Sequence, residues 1–64
     1  MTTPVRGSVP SFLTLREVST TLRVSQKTVR RMIDRNELRA FRIGGQIRVQ
    51  RDSLIHFLKA REIH

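Results

Sequence analysis

The sequence predicts a mainly α fold with a small β-hairpin, in the order helix, helix, strand, strand, helix. Three observations predict it. Two apolar stripes at i, i+3, i+4 spacing, Leu15/Val18/Leu22 and Val29/Met32/Ile33, each follow a hydroxyl residue suited to capping a helix, Thr14 and Ser25. The periodicity then switches to strand-like runs, residues 38–43 and 46–50, on either side of Gly44-Gly45. A last helical stripe follows Asp52.

Residues 1–12 carry Thr2, Thr3, Pro4, Gly7, Ser8, Pro10 and Ser11 and read as a flexible lead-in, in which Arg6 resembles the basic arms that enter minor grooves. The folded domain is expected over 13–64. Thr14 and Glu17 fit a capping box, with Leu13 and Val18 placed as its hydrophobic staple. The chain breaks at Arg23-Val24, Ser25 caps the second helix, and Val24 and Val29 repeat the staple. That helix is expected to end near Arg35-Asn36, because Asn tolerates the left-handed conformation of a helix terminus. Two capped helices joined by a tight turn are a helix-turn-helix signature.

For the hairpin, a three-residue loop over 44–46 pairs Ile43 with Ile47 and Phe41 with Val49, which keeps one face apolar. That register also sets Arg42 opposite Arg48, a like-charge pair that phosphates would relieve. Asp52 opens the last helix, as its cap or in its first turn. Leu54, Phe57, Leu58 and Ile63 are expected as its buried stripe, closing the core over the first helix. With the hairpin as a wing, the fold is a minimal winged helix-turn-helix.

The charge speaks of partners. The chain has 64 residues, one domain, and a net charge of +8 from 13 Lys+Arg against 5 Asp+Glu. Eleven of the 13 cations are Arg, the residue suited to bidentate phosphate or guanine contacts. Residues 23–51 hold nine cations against Asp34 and Glu37, nearly the whole net charge. On the second helix Lys27, Arg30 and Arg31 lie opposite the apolar stripe, with Gln26 at its start. Gln26 suits an adenine edge and Thr28 a phosphate, so double-stranded DNA is the expected partner. Arg16, Lys59 and Arg61 are assigned to solubility and helix pairing instead. Cysteine is absent, which excludes disulfides and Cys-based zinc sites, and no apolar run is long enough for a membrane span, so a cytoplasmic protein without a membrane partner is expected. His56 and His64 lack a third ligand, no nucleophile–base pair stands out, and neither enzyme activity nor a cofactor is expected.

The run Leu13-Thr14-x-x-Glu17-Val18, Leu22-x-Val24-Ser25-x-x-Thr28-Val29-x-Arg31-x-Ile33, Glu37-Leu38-x-Ala40-x-Arg42-Ile43-Gly44, Arg48-Val49 and Leu54-x-x-Phe57-Leu58 resembles the excisionase-type, MerR-like winged helix-turn-helix domains. The resemblance covers residues 13–58 without a gap. It implies that the helix from Ser25 enters the major groove, with Gln26, Lys27, Thr28, Arg30 and Arg31 making contacts and Arg35 at its far end. It implies too that the wing, Arg42, Gly44, Gly45, Gln46 and Arg48, reaches the adjacent minor groove or its phosphates. This chain departs from the pattern at Asn36 and Arg23, where Gly is usual, at Arg39, where Pro is common, and at Gly45, often basic.

The resemblance further implies a recombination directionality factor, an excisionase that bends attachment-site DNA for a tyrosine integrase and self-associates cooperatively on adjacent sites. So little follows the last helix that this is expected over a MerR-type regulator with its long coiled-coil helix. A small transcriptional regulator shares the same DNA chemistry. A protein-interaction module, antitoxin-like and docking its basic face on an acidic protein, is the alternative of another class.

Overall fold

The computed structural model describes residues 11–63, and six elements lie among those residues. They are β1 (Phe12–Thr14), α1 (Leu15–Leu22), α2 (Gln26–Asp34), β2 (Ala40–Ile43), β3 (Gln46–Gln50) and α3 (Arg51–Ala60). The three helices and the antiparallel β2–β3 hairpin form a winged helix-turn-helix. The lead-in expected at the N-terminus, Arg6 included, lies outside the described residues up to residue 10, and so does His64.

Local chemistry sets the helix ends. The Glu17 N–H donates to Thr14 Oγ1 at 3.0 Å and the Thr14 N–H to Glu17 Oε1 at 2.8 Å, a complete capping box. Ser25 Oγ accepts from the Thr28 N–H at 3.0 Å and starts α2. Both helices close with the same crossed pair of bonds. Val24 N–H reaches Ser19 O at 3.0 Å and Arg23 N–H reaches Thr20 O at 3.3 Å, with Arg23 left-handed at φ 56°. Glu37 N–H reaches Met32 O at 2.8 Å and Asn36 N–H reaches Ile33 O at 2.9 Å, with Asn36 at φ 62°. These are Schellman closures, and the left-handed residue is what reverses the chain. Val24, expected as a buried staple, stays 36% exposed. Its N–H closes α1.

The strand β1 has no counterpart in the sequence reading. It pairs antiparallel with β3, giving the sheet order β1-β3-β2. Leu13 and Ala40 both sit opposite Val49, so three apolar side chains lie abreast on the inner face. The core they join comprises Leu15, Val18, Val29, Met32, Leu38, Val49 and Leu54. Val18, Val29 and Val49 have no exposed surface, and burying such a side chain is worth about 1.5–3 kcal/mol.

The hairpin register differs from the expected one. The loop is the two residues Gly44 and Gly45, at φ 58° and 80°, and Ile43 pairs with Gln46, Arg42 with Ile47, Phe41 with Arg48 and Ala40 with Val49. Two successive positive φ angles make a type I′ turn, whose twist matches that of the strands and which Gly-Gly adopts without strain. Apolar pairing on one face is therefore not what selects the register. The outer face carries its own apolar contact instead. Phe41 meets Phe12 of β1 edge-on, ring centroids 5.6 Å apart.

The last helix also departs from expectation. Asp52 lies in the first turn of α3, as anticipated, while Gln50 occupies the cap position without a side-chain bond. Leu54 is buried and Phe57 half-buried, but Leu58 is 43% and Ile63 94% exposed, so the buried stripe stops at Phe57. The helix packs chiefly against β3 rather than closing over α1. Its far end is held by Arg61, which lies 3.8 Å over the Phe57 ring and 3.2 Å from Glu37.

Candidate nucleic-acid interface

The geometry of α2 follows from its burial. Val29 and Met32 face the core and Ile33 packs half-buried beside them. The helical repeat then puts Lys27 and Arg31, four residues apart, on the outermost side. Gln26 and Arg30, also four apart, lie on the flank that turns toward the wing. All four are exposed.

The wing meets that flank. Between α2, the first turn of α1 and the hairpin runs an open groove of about 520 Å³. Gln26 and Arg30 line it from the helix, Arg42, Gln46 and Arg48 from the wing, and Arg16 from α1. No carboxylate lines it among the described residues. The guanidinium of Arg48 is fixed within its own strand, donating to Ile47 O at 3.1 Å and, through its other nitrogen, to Gln46 Oε1. Arg16, Arg30 and Arg42 make no ion pair among the described residues.

The residues singled out in the sequence divide into two groups. Gln26, Arg30, Arg42, Gly45, Gln46 and Arg48 converge on the groove. Ser25, Lys27, Thr28, Arg31, Arg35 and Gly44 do not line it. Ser25 and Thr28 hold the start of α2: their hydroxyl oxygens stand 3.0 Å apart, beside the bond from the Thr28 N–H. Arg35 forms the C-terminal cap of α2. The expected Arg42–Arg48 cross-strand pair is not formed, because the two-residue turn puts the two side chains on opposite faces of the hairpin. Both still border the groove.

Arg16 is the residue that sequence reasoning passed over. The signal was its position, two residues after the cap at Thr14, which places it in the first turn of α1 and off the stripe of Leu15, Val18 and Leu22. What the sequence does not reveal is that β1 pairs Thr14 with Arg48, which brings that first turn alongside the wing.

No helix among the described residues is long and apolar enough to cross a membrane. A family model described as a helix-turn-helix domain matches residues 12–62 of the chain. Comparison with curated proteins and with solved structures gives no match.

Proposed function

The chain belongs to the helix-turn-helix domain family, and from that premise we propose that it reads duplex DNA with two prongs. The α2 helix enters the major groove, where Gln26, Lys27, Arg30 and Arg31 face base edges and phosphates. The wing lies along the adjacent minor groove or its phosphates through Arg42, Gly45, Gln46 and Arg48. The observation that carries the reading is the groove between the prongs: guanidiniums from helix and wing converge there with no carboxylate to neutralise them. Such a convergence is repulsive within the protein and is relieved by a polyanion.

Fluorescence anisotropy on duplex DNA across a salt series tests it. If about six phosphates are neutralised, log K falls with log salt at a slope of about −5. Arg30→Ala and Arg31→Ala each weaken binding about tenfold without lowering the melting temperature, since neither side chain is buried. A salt-independent affinity, or no binding at low salt, rules the reading out and favours a protein-interaction module.

The biological role we assign is that of an excisionase, a recombination directionality factor that bends attachment-site DNA for a tyrosine integrase. The residue pattern from Leu13 to Leu58 supports it, through its likeness to excisionase-type domains. An excision assay with a cognate tyrosine integrase decides. Addition of the protein shifts recombination toward excision; an unchanged direction leaves a transcriptional regulator as the role.

A further inference from the structure

We infer that the groove is a seat for the sugar–phosphate backbone and that Arg16 of α1 forms its third wall. The inference rests on the DNA-binding reading above and extends it from two prongs to three. Helix α1 would otherwise serve only to support α2.

The placement follows from the sheet. Thr14 is both the last residue of β1 and the cap of α1, and it lies opposite Arg48 in the strand pairing. The capping box fixes the direction in which α1 leaves the sheet. Arg16, one residue into the helix beyond Leu15, is exposed and borders the groove together with Arg30, Arg42 and Arg48. Four guanidiniums from four separate elements, α1, α2, β2 and β3, therefore border one concavity. A guanidinium is permanently charged, and its planar fork matches two phosphate oxygens at once. Arg48 is already oriented by its bonds to Ile47 O and Gln46, so it loses little side-chain freedom on contact. Arg16 has no ion-pair partner among the described residues that a phosphate would have to displace.

Two alternatives are weaker on the same observations. A solvated surface arginine gains nothing from a concave position lined by three others. A helix-stabilising role would have Arg16 near the C-terminal end of α1, whereas it stands in the first turn, where the helix dipole disfavours a cation. That unfavourable placement is compensated once an anion lies beside it.

The test uses a duplex selected by the wild-type protein from a random-sequence pool. Arg16→Ala is expected to weaken binding about tenfold and to flatten the salt slope by about one, and to do so equally on an unselected duplex. Arg16→Lys recovers part of the loss, and Lys59→Ala, on the exposed side of α3, changes neither quantity. Neutralising phosphates one at a time as methylphosphonates then locates the contact. At one position the wild type loses affinity and Arg16→Ala loses no more. Wild-type affinity and slope in Arg16→Ala overturn the inference while leaving the two-pronged reading intact. Additive losses at every neutralised position overturn it as well. A wild-type protein that binds no duplex at low salt overturns the proposed function and this inference with it.

Discussion

The two prongs of this domain differ in what holds them. The α2 helix is anchored along its length: one side is sealed by Val29 and Met32, its start is capped by Ser25, and its end is closed at Asn36. The wing is anchored mainly at its root, where Val49 lies between Leu13 and Ala40, and residues 41–46 are all exposed. One prong is a rigid surface whose side chains have set directions. The other is a ribbon whose backbone follows its turn. The difference suits a division of labour in which base edges, which demand fixed geometry, meet the helix, and phosphates, which accept charge from many directions, meet the wing.

The comparison breaks most severely at the roots. Val29→Ala and Val49→Ala each remove two fully buried methyl groups and are expected to cost about 2–3 kcal/mol. In a domain this small that lowers the melting temperature by about 10–20 °C, measurable by circular dichroism. If the wing were an independent appendage, Val49→Ala would leave the melting temperature of α1 and α2 untouched. Because Val49 has no exposed surface and belongs to the common core, a single transition with both variants equally affected is expected.

A smaller effect falls on the turn. Gly45→Ala puts a β-carbon on a backbone at φ 80°, with no atom within 4 Å of it. The cost is therefore conformational and not steric, about 1–2 kcal/mol by chemical denaturation. A neutral substitution would contradict the type I′ turn and restore the three-residue loop. The smallest change is a gain. Arg23 holds the left-handed position that ends α1, where glycine carries no such penalty, so Arg23→Gly is expected to stabilise the fold by about 0.5–1 kcal/mol. Asn36→Gly gains less, since Asn tolerates the same conformation. Equal gains at the two helix ends would show that side-chain chemistry at these closures is immaterial.

What was legible in the sequence was what is decided within four or five residues. Thr14 with Glu17, Ser25, and Asn36 mark helix boundaries because the bonds they make are local. The apolar stripe of α2 was readable for the same reason. The parts that escaped are non-local. The strand β1 is three residues long and is defined by partners at Arg48, Val49 and Gln50, far along the chain. Without it, Phe41 has no reason to face outward, and the apolar-face argument selects the wrong register. With it, Phe12 supplies the missing neighbour. Leu58 misled because spacing alone cannot show where the core ends. Arg16 was missed because its company is brought by that same strand.

The hydroxyl of Ser53 sits where the two legs of the hairpin enter the body of the domain. It accepts the Arg39 N–H at 3.0 Å and donates to Gln50 O at 2.8 Å, while the Gln50 N–H reaches Arg39 O at 2.8 Å. Arg39 immediately precedes β2 and Gln50 ends β3, so one side chain pins both legs at a common point. The wing is thus a cantilever with its clamp at Ser53 and its free end at Gly44-Gly45. Thermal excursion grows along such a beam from clamp to tip, and quieting it on contact carries an entropy cost that α2, packed along its length, shares less. Heating is therefore expected to loosen the wing before it loosens α2, a difference that amide hydrogen exchange across 41–46 and 26–34 would read.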